Sequence, residues 1–306
     1  MFDDFIIKNY EDKYYEDLSS SYLKAFKKNF LSREDYSNRF KNGNIYSSYL
    51  LIKKENQSII GHIGFKLNNL NSKNKGKVAF RYSTFISSSY RGTGLYRYFM
   101  DQIKGLLIKD FKVEIIFAWP NINNLISCLR DSDYFNQFPI ITWQHKLRKN
   151  NFSYVNLKQY KIDDFCEHKL KFKVINSERK LTLDSVEDLK KILFDRVNKK
   201  YKIIYTEKNY SIIGESTIAD INYLSIVFIQ GFNIYDLLSI LNDIYKGDNY
   251  IVQIWCDPQN RDLQGSLLKS KFLPDGPIFY NGIYYLSEKI FKSENYFPSM
   301  YNHDAF

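Results

Sequence analysis

Residues 78–96 read Val78-Ala79-Phe80-Arg81-Tyr82-Ser83-Thr84-Phe85-Ile86-Ser87-Ser88-Ser89-Tyr90-Arg91-Gly92-Thr93-Gly94-Leu95-Tyr96. Val78 to Ile86 has the β-branched and aromatic content of a strand. From Leu95 the pattern changes, because Leu95, Phe99, Ile103, Leu106 and Leu107 mark one face of a helix. Between them lies Arg91-Gly92-Thr93-Gly94. Glycines let a chain turn sharply and approach a ligand closely. The start of the helix then offers unpaired N–H groups and the positive end of its dipole to an anion. Arg91 adds charge-assisted hydrogen bonds. The alternative is a tight turn with a helix cap. No Gly-Lys-Ser/Thr follows, so this is not a Walker A loop. It lies after the fourth strand rather than the first, so it is not the dinucleotide fingerprint either.

Working outward, Phe5 to Lys8 reads as a short strand and residues 14–29 as a helix, with apolar positions three and four apart. Ser32 before Arg33-Glu34-Asp35 reads as an N-cap of a second helix ending near Gly43. Tyr49–Lys53 and Ile59–Phe65 form a hairpin around Glu55-Asn56-Gln57-Ser58. A polar loop over 68–76 leads into the strand quoted above. After its helix comes the strand Val113–Trp119, stopped by Pro120, then a helix over 121–130 and a strand within 135–147. The order βααβββαβαβ predicts an α/β fold with a mixed central sheet.

The second half holds strands at Tyr201–Tyr205, Ile218–Ile229, Tyr250–Trp255 and Phe279–Leu286, with helices from Ile234 and around Leu263, Leu267 and Leu268. The segments ending at Trp119 and Trp255 resemble one another, a weak internal repeat of roughly 140 residues. With 306 residues, two domains are expected, divided at 1–150 and 151–306.

Composition excludes several classes. Hydrophobic residues make up 44% and charged ones 25%, with 26 Tyr and 24 Phe, ample apolar surface against chain entropy. The cysteines Cys128, Cys166 and Cys256 are scattered, which argues against a disulfide scaffold or a cysteine zinc site, so no metal is expected. The N-terminus has no signal-peptide pattern and no apolar run is long enough to span a bilayer. A reduced, cytoplasmic setting without membrane insertion is expected. The net charge of +10 is dispersed rather than packed into a tract. It argues against a nucleic-acid partner and leaves some charge for ligand phosphates.

Arg91 to Tyr96 resembles the Gln/Arg-x-x-Gly-x-Gly/Ala motif of the GCN5-related N-acetyltransferases (the GNAT superfamily), with Tyr96 in place of the final small residue. Phe117-Ala118-Trp119-Pro120-Asn121-Ile122-Asn123-Asn124 resembles the FPN-x-N signature of members that acylate nucleotide-linked amino sugars for surface polysaccharides. The resemblance covers 1–148. Leu267 to Pro277 is similar to a junction of the same family, so the second half resembles a degenerate GNAT-like unit, with Gln230-Gly231-Phe232-Asn233 where a glycine loop would stand.

The resemblance implies an N-acyltransferase whose co-substrate is acyl-CoA, acetyl-CoA or hydroxybutyryl-CoA, bound in the first domain. Backbone N–H groups from Tyr90 to Leu95 would hold the pyrophosphate, with Arg91, Gly92, Thr93, Gly94 and Tyr96 around them. Phe85 and Ile86 would pair with the pantetheine arm, helped by Asn121. The acceptor implied is a nucleotide sugar carrying an amine, such as a dTDP-3-amino-3,6-dideoxyhexose, with the second domain shaping its cleft. A peptide or polyamine acceptor, or a non-catalytic acyl-CoA sensor, are the alternatives. Catalytic candidates are His62, Ser83 and Tyr134, with Thr84 also able to relay a proton. Where the family often places a tyrosine acid, this chain has Cys128. Arg81, Tyr82 and Ser83 are candidates for the acceptor, Arg81 for its diphosphate. Trp119 and Trp255 fit core packing better than stacking platforms.

Overall fold

The computed structural model describes residues 2–27, 29–40, 46–69, 77–120, 122–137, 139–147, 160–165, 189, 193, 200–245, 249–256, 258 and 260–286. The first strands are β1 (Phe5–Asn9), β2 (Tyr46–Lys53), β3 (Ile59–Asn69), β4 (Lys77–Ile86), β5 (Val113–Ala118), β6 (Tyr134–Asn136) and β7 (Ile140–Lys146). Then come β8 (Lys161–Asp164), β9 (Lys200–Tyr205), β10 (Tyr210–Ile218), β11 (Ile221–Gln230), β12 (Tyr250–Trp255), β13 (Ile278–Phe279) and β14 (Gly282–Tyr285). The helices are α1 (Tyr15–Phe26), α2 (Arg33–Phe40), α3 (Leu95–Phe111), α4 (Ile122–Leu129), α5 (Ile234–Ile244) and α6 (Arg261–Lys269).

Two sheets form, ordered β1-β2-β3-β4-β5-β14-β6 and β8-β9-β10-β11-β12-β7-β13. Their senses match position by position. Each has antiparallel neighbours except one parallel pair, β4 with β5 and β11 with β12. A parallel pair needs a long crossover, and α3 and α5 supply it. The segments ending at Trp119 and Trp255 occupy equivalent places, which gives the internal repeat a structural basis.

Each sheet takes one strand from the other half of the sequence. β14 lies between β5 and β6, and β7 lies between β12 and β13. One compact unit therefore holds β1–β6 with β14, and the other holds β7–β13. This corrects three expectations. The stretch 135–147 is two strands in different sheets, and so is Phe279–Leu286. A cut at residue 150 is not where the units divide. The expected strand Ile218–Ile229 is also the second arm of a hairpin, because Ile218 ends β10 and Ala219 and Asp220 turn with φ of 48° and 64°.

In the first unit α3 lays Leu95, Phe99, Ile103 and Leu107 on one face of the sheet, among Ile63, Phe65, Ile116 and Tyr284. Each such buried side chain contributes about 1.5–3 kcal/mol. The other face carries Tyr15, Leu18 and Tyr36 over Leu50, Ile52 and Phe85. The Ser32 hydroxyl accepts from the Asp35 N–H at 3.0 Å, the expected cap of α2. Among the described residues, no helix is long and apolar enough to cross a membrane.

Candidate functional site

The glycine loop has the geometry its sequence asks for. Gly92 and Gly94 have φ of 80° and 83°, the left-handed region that glycine enters without strain. Gly94 is the N-cap of α3, and no side chain caps that end. A Cβ at Gly92 would meet nothing within 4 Å, and at Gly94 only the Phe2 ring at 3.8 Å. Among the described residues, no backbone carbonyl takes the N–H of Gly92, Thr93 or Gly94. These donors face open space at the start of a 17-residue helix. A diphosphate fits them.

The loop is narrower than expected. The Tyr90 N–H is engaged by Ser87 O at 2.9 Å and the Arg91 N–H by Ser88 O at 3.3 Å. The Leu95 N–H leans on Thr93 Oγ1 at 3.4 Å. The Arg91 side chain donates from Nε to Ile86 O at 3.3 Å, tying the loop to the end of β4. The open cradle is therefore Gly92–Gly94.

Below it the sheet splits. β4 and β5 pair from Lys77 and Val113 up to Phe80 and Phe117, and then the rungs stop. β4 runs on to Ile86, so the edge of Arg81 to Ile86 that faces β5 carries no ladder partner. Against β3, His62 pairs with Phe85 and Gly64 with Tyr82, leaving Ser83 and Thr84 opposite Ile63 alone. That is a β-bulge, which bends a strand and re-aims its groups. Ser83 sits there at φ 46°, a strained value for a side-chain-bearing residue. Ser83 and Thr84 are half-buried, flanked by buried residues on both sides.

His62 holds this bulge. Its Nδ1 lies 2.6 Å from Ser83 O. A carbonyl only accepts, so Nδ1 carries the proton and Nε2 accepts. Nε2 lies 2.9 Å from both Tyr36 Oη and Ser48 Oγ, which are 2.5 Å apart. The ring is fully buried, and burial pulls its pKa down to about 4. His62 is thus a neutral pin between α2, β2 and the bulge. It is not placed as a solvent-facing base.

Arg81 also departs from expectation. It is buried on the α3 face of the sheet rather than exposed to a diphosphate. Its guanidinium donates to Tyr96 Oη and lies 3.8 Å from Cys128 Sγ and 5.9 Å from the centre of the Tyr284 ring. Tyr96, the bulky residue of the loop motif, thus reaches back from α3 to β4. Tyr134 packs on Tyr284 at 5.1 Å, and burial raises its phenol pKa. Tyr82 points to the opposite face, as its position next to Arg81 requires. There Phe80 stacks on Trp119 at 5.5 Å, with Tyr82 5.7 Å and Phe117 4.9 Å from the same indole. Asn121, Cys166 and the C-terminal His303–Phe306 lie outside the described residues.

The structure thus brings together Arg81, Tyr96, Cys128 and Tyr134, and separately His62 and Ser83. Tyr36, Ser48 and Tyr284 join these groups without a sequence signal, since each comes from a different element and no spacing links them.

The second unit repeats the frame without the cradle. β11 and β12 pair from Asn222 and Tyr250 to Ser225 and Gln253 only, and a bulge falls at Val227 against β10. But just Gly231, Phe232 and Asn233 separate β11 from α5. The Asn233 side chain caps α5 by accepting from the Asp236 N–H at 2.8 Å. A Cβ at Gly231 would lie 2.3 Å from Asn209 Oδ1. The place an anion would need is filled.

No protein-family model matches the sequence, and no curated protein matches it. Solved structures do match. A GCN5-related N-acetyltransferase from Kribbella flavida aligns at TM-score 0.64 and 10% identity, covering 92% of this chain and 72% of that one. A probable N-acyltransferase from Enterococcus faecalis aligns at 0.61 and 13% identity, over 92% and 72%. A tandem GNAT protein of the clavulanic acid biosynthesis pathway aligns at 0.59 and 8% identity, over 92% and 99%. At such identities the likeness concerns the fold, and with the split sheet, the β4 bulge and the glycine loop it supports one conclusion: the chain has the GCN5-related N-acetyltransferase fold, built as two units of the same strand order.

Proposed function

We propose that the protein is a CoA-dependent N-acyltransferase that binds its donor in the first unit alone. The observation that carries this is the open Gly92–Gly94 cradle above an unpaired β4 edge, set against the filled equivalent in the second unit. The cradle N–H groups and Arg91 bind the donor's pyrophosphate. The unpaired edge of β4 pairs with the amides of the pantetheine arm. The bulge at Ser83 and Thr84 aims a backbone N–H at the thioester carbonyl, where it stabilises the developing oxyanion. A neutral amine attacks the carbonyl carbon. The N–C bond forms, the C–S bond breaks, and the amine's lost proton ends on the departing CoA sulfur. Most of the rate gain comes from holding the two reactants together.

The acceptor we assign is the amine of a nucleotide-linked amino deoxysugar, such as a dTDP-3-amino-3,6-dideoxyhexose. In the aromatic group on that face Phe80 and Tyr82 are buried, and the half-buried Trp119 is the ring left to meet the acceptor's base. The test is thiol release from acetyl-CoA and hydroxybutyryl-CoA against a panel of dTDP- and UDP-amino sugars, with peptides and polyamines alongside and product mass recorded. A nucleotide-dependent mass-shifted product supports the reading. Turnover only with amines lacking a nucleotide moves the acceptor class. CoA binding with no turnover on any amine, whichever acyl-CoA is offered, favours a sensor.

A further inference from the structure

The cluster around Arg81 is rich in donors and poor in acceptors. Arg81 is always cationic and offers five N–H donors. It is 8% exposed, yet among the described residues it meets no carboxylate. Among those residues its hydrogen-bond partners are a phenol oxygen, Tyr96 Oη, and a weak acceptor, Cys128 Sγ. The Tyr134 hydroxyl beside them is buried and, among the described residues, meets no hydrogen-bond partner. Asp131 and Asp133, the acids on the adjoining segment, are held by Lys104 at 3.2 and 3.0 Å. A buried cation is normally paired with an anion, because leaving it unpaired costs several kcal/mol.

Its place in the sheet tells what would complete it. Arg81 is the first residue of β4 past the last rung to β5. It lies two or three residues deeper than the bulge at Ser83 and Thr84, or roughly 7–10 Å at ~3.3 Å per residue. If the thioester carbonyl sits at the bulge, as in the function proposed above, the acyl chain runs toward Arg81. We infer that the donor's acyl group ends in a carboxylate, and that Arg81, aided by Tyr134, selects it. The donor class is then a short dicarboxylic acyl-CoA rather than acetyl-CoA. Tyr96 serves as a positioning residue that keeps the guanidinium turned inward.

The test needs no acceptor. CoA, butyryl-CoA and succinyl-CoA are titrated calorimetrically into the whole chain at high salt, which screens the general attraction of a +10 chain for an extra negative charge. Succinyl-CoA is expected to bind at least about ten-fold tighter than its neutral near-isostere butyryl-CoA, the usual effect of a hydrogen bond between charged groups. Arg81→Met should collapse that ratio while leaving the affinity for CoA itself unchanged. Tyr134→Phe, which keeps the ring in place, should reduce the ratio in part. Equal affinity for the two esters in the wild type overturns the inference. So does a succinyl preference that survives Arg81→Met. CoA binding without a succinyl preference sinks this inference alone, whereas no binding of CoA at all sinks the donor reading with it.

Discussion

A side chain can matter more for the shape of the backbone than for the chemistry it could do, and His62 is such a case. Histidine on the third strand invites reading as a base, since its pKa ordinarily lies near neutrality. In the fold both nitrogens are bonded and the ring is sealed, so it holds Ser83 in a strained turn instead. The consequence is a pH-dependent stability. The folded imidazole stays neutral down to about 4, while the unfolded one takes its proton near 6.5. The contribution of His62 to stability is therefore full above 6.5 and falls as pH drops toward about 4, by up to about 3 kcal/mol. Denaturant titrations at a series of pH values should show this slope, and His62→Gln should lose that part of it. An unchanged slope in the variant contradicts the assigned role. The sequence shows His62 as titratable. It cannot show the ring's burial, because Tyr36 and Ser48 come from separate elements.

At the scale of elements, the two helices that follow the parallel crossover strands are finished differently. The start of α5 is closed by Asn233, which satisfies the Asp236 N–H. The start of α3 has no side-chain cap, and its glycines leave its donors open. An N-cap is worth about 1 kcal/mol, so Asn233→Ala should lower stability by about that amount and leave CoA affinity unchanged. A large change in CoA affinity would contradict the separation of roles between the two loops. Most of this scale was legible beforehand. The strand–loop–helix stretch from Val78 to Leu107, the helix periodicities and the Ser32 cap all carry local signals. The β10–β11 hairpin was not legible, because its turn uses Ala219 and Asp220 where Asn-Gly or Gly-Gly would mark a type I′ turn. The split of 278–285 into two strands was equally silent. Gly282 leaves room for the Tyr134 ring, since a Cβ there would lie 2.2 Å from its Cζ. Nothing near Gly282 in sequence announces that neighbour.

At the scale of the molecule, each sheet is completed by a strand from the other half of the sequence. Hydrophobic pattern shows that a segment is a strand and does not show which edge it joins. This is why a boundary near residue 150 looks natural and is not the structural one. A fragment of residues 1–150 lacks β14, which pairs with both β5 and β6. It should therefore fail to give a cooperative unfolding transition, and it should aggregate through the exposed edge of β5. Supplying residues 151–306 in trans during refolding should restore a folded species. A fragment 1–150 that folds cooperatively alone would contradict the strand exchange.

The central claim is that the first unit holds an acyl-CoA by its glycine loop. The most direct measurement is a calorimetric titration of CoA into the wild type and Gly94→Trp. Gly94 has φ 83°, so any side chain there costs about 1–2 kcal/mol of stability. The space around it is otherwise open, so the variant should still fold, as circular dichroism will report. Saturable binding to the wild type and none to a folded Gly94→Trp is the result expected. Equal affinity for both proteins would show that the cradle does not hold the donor.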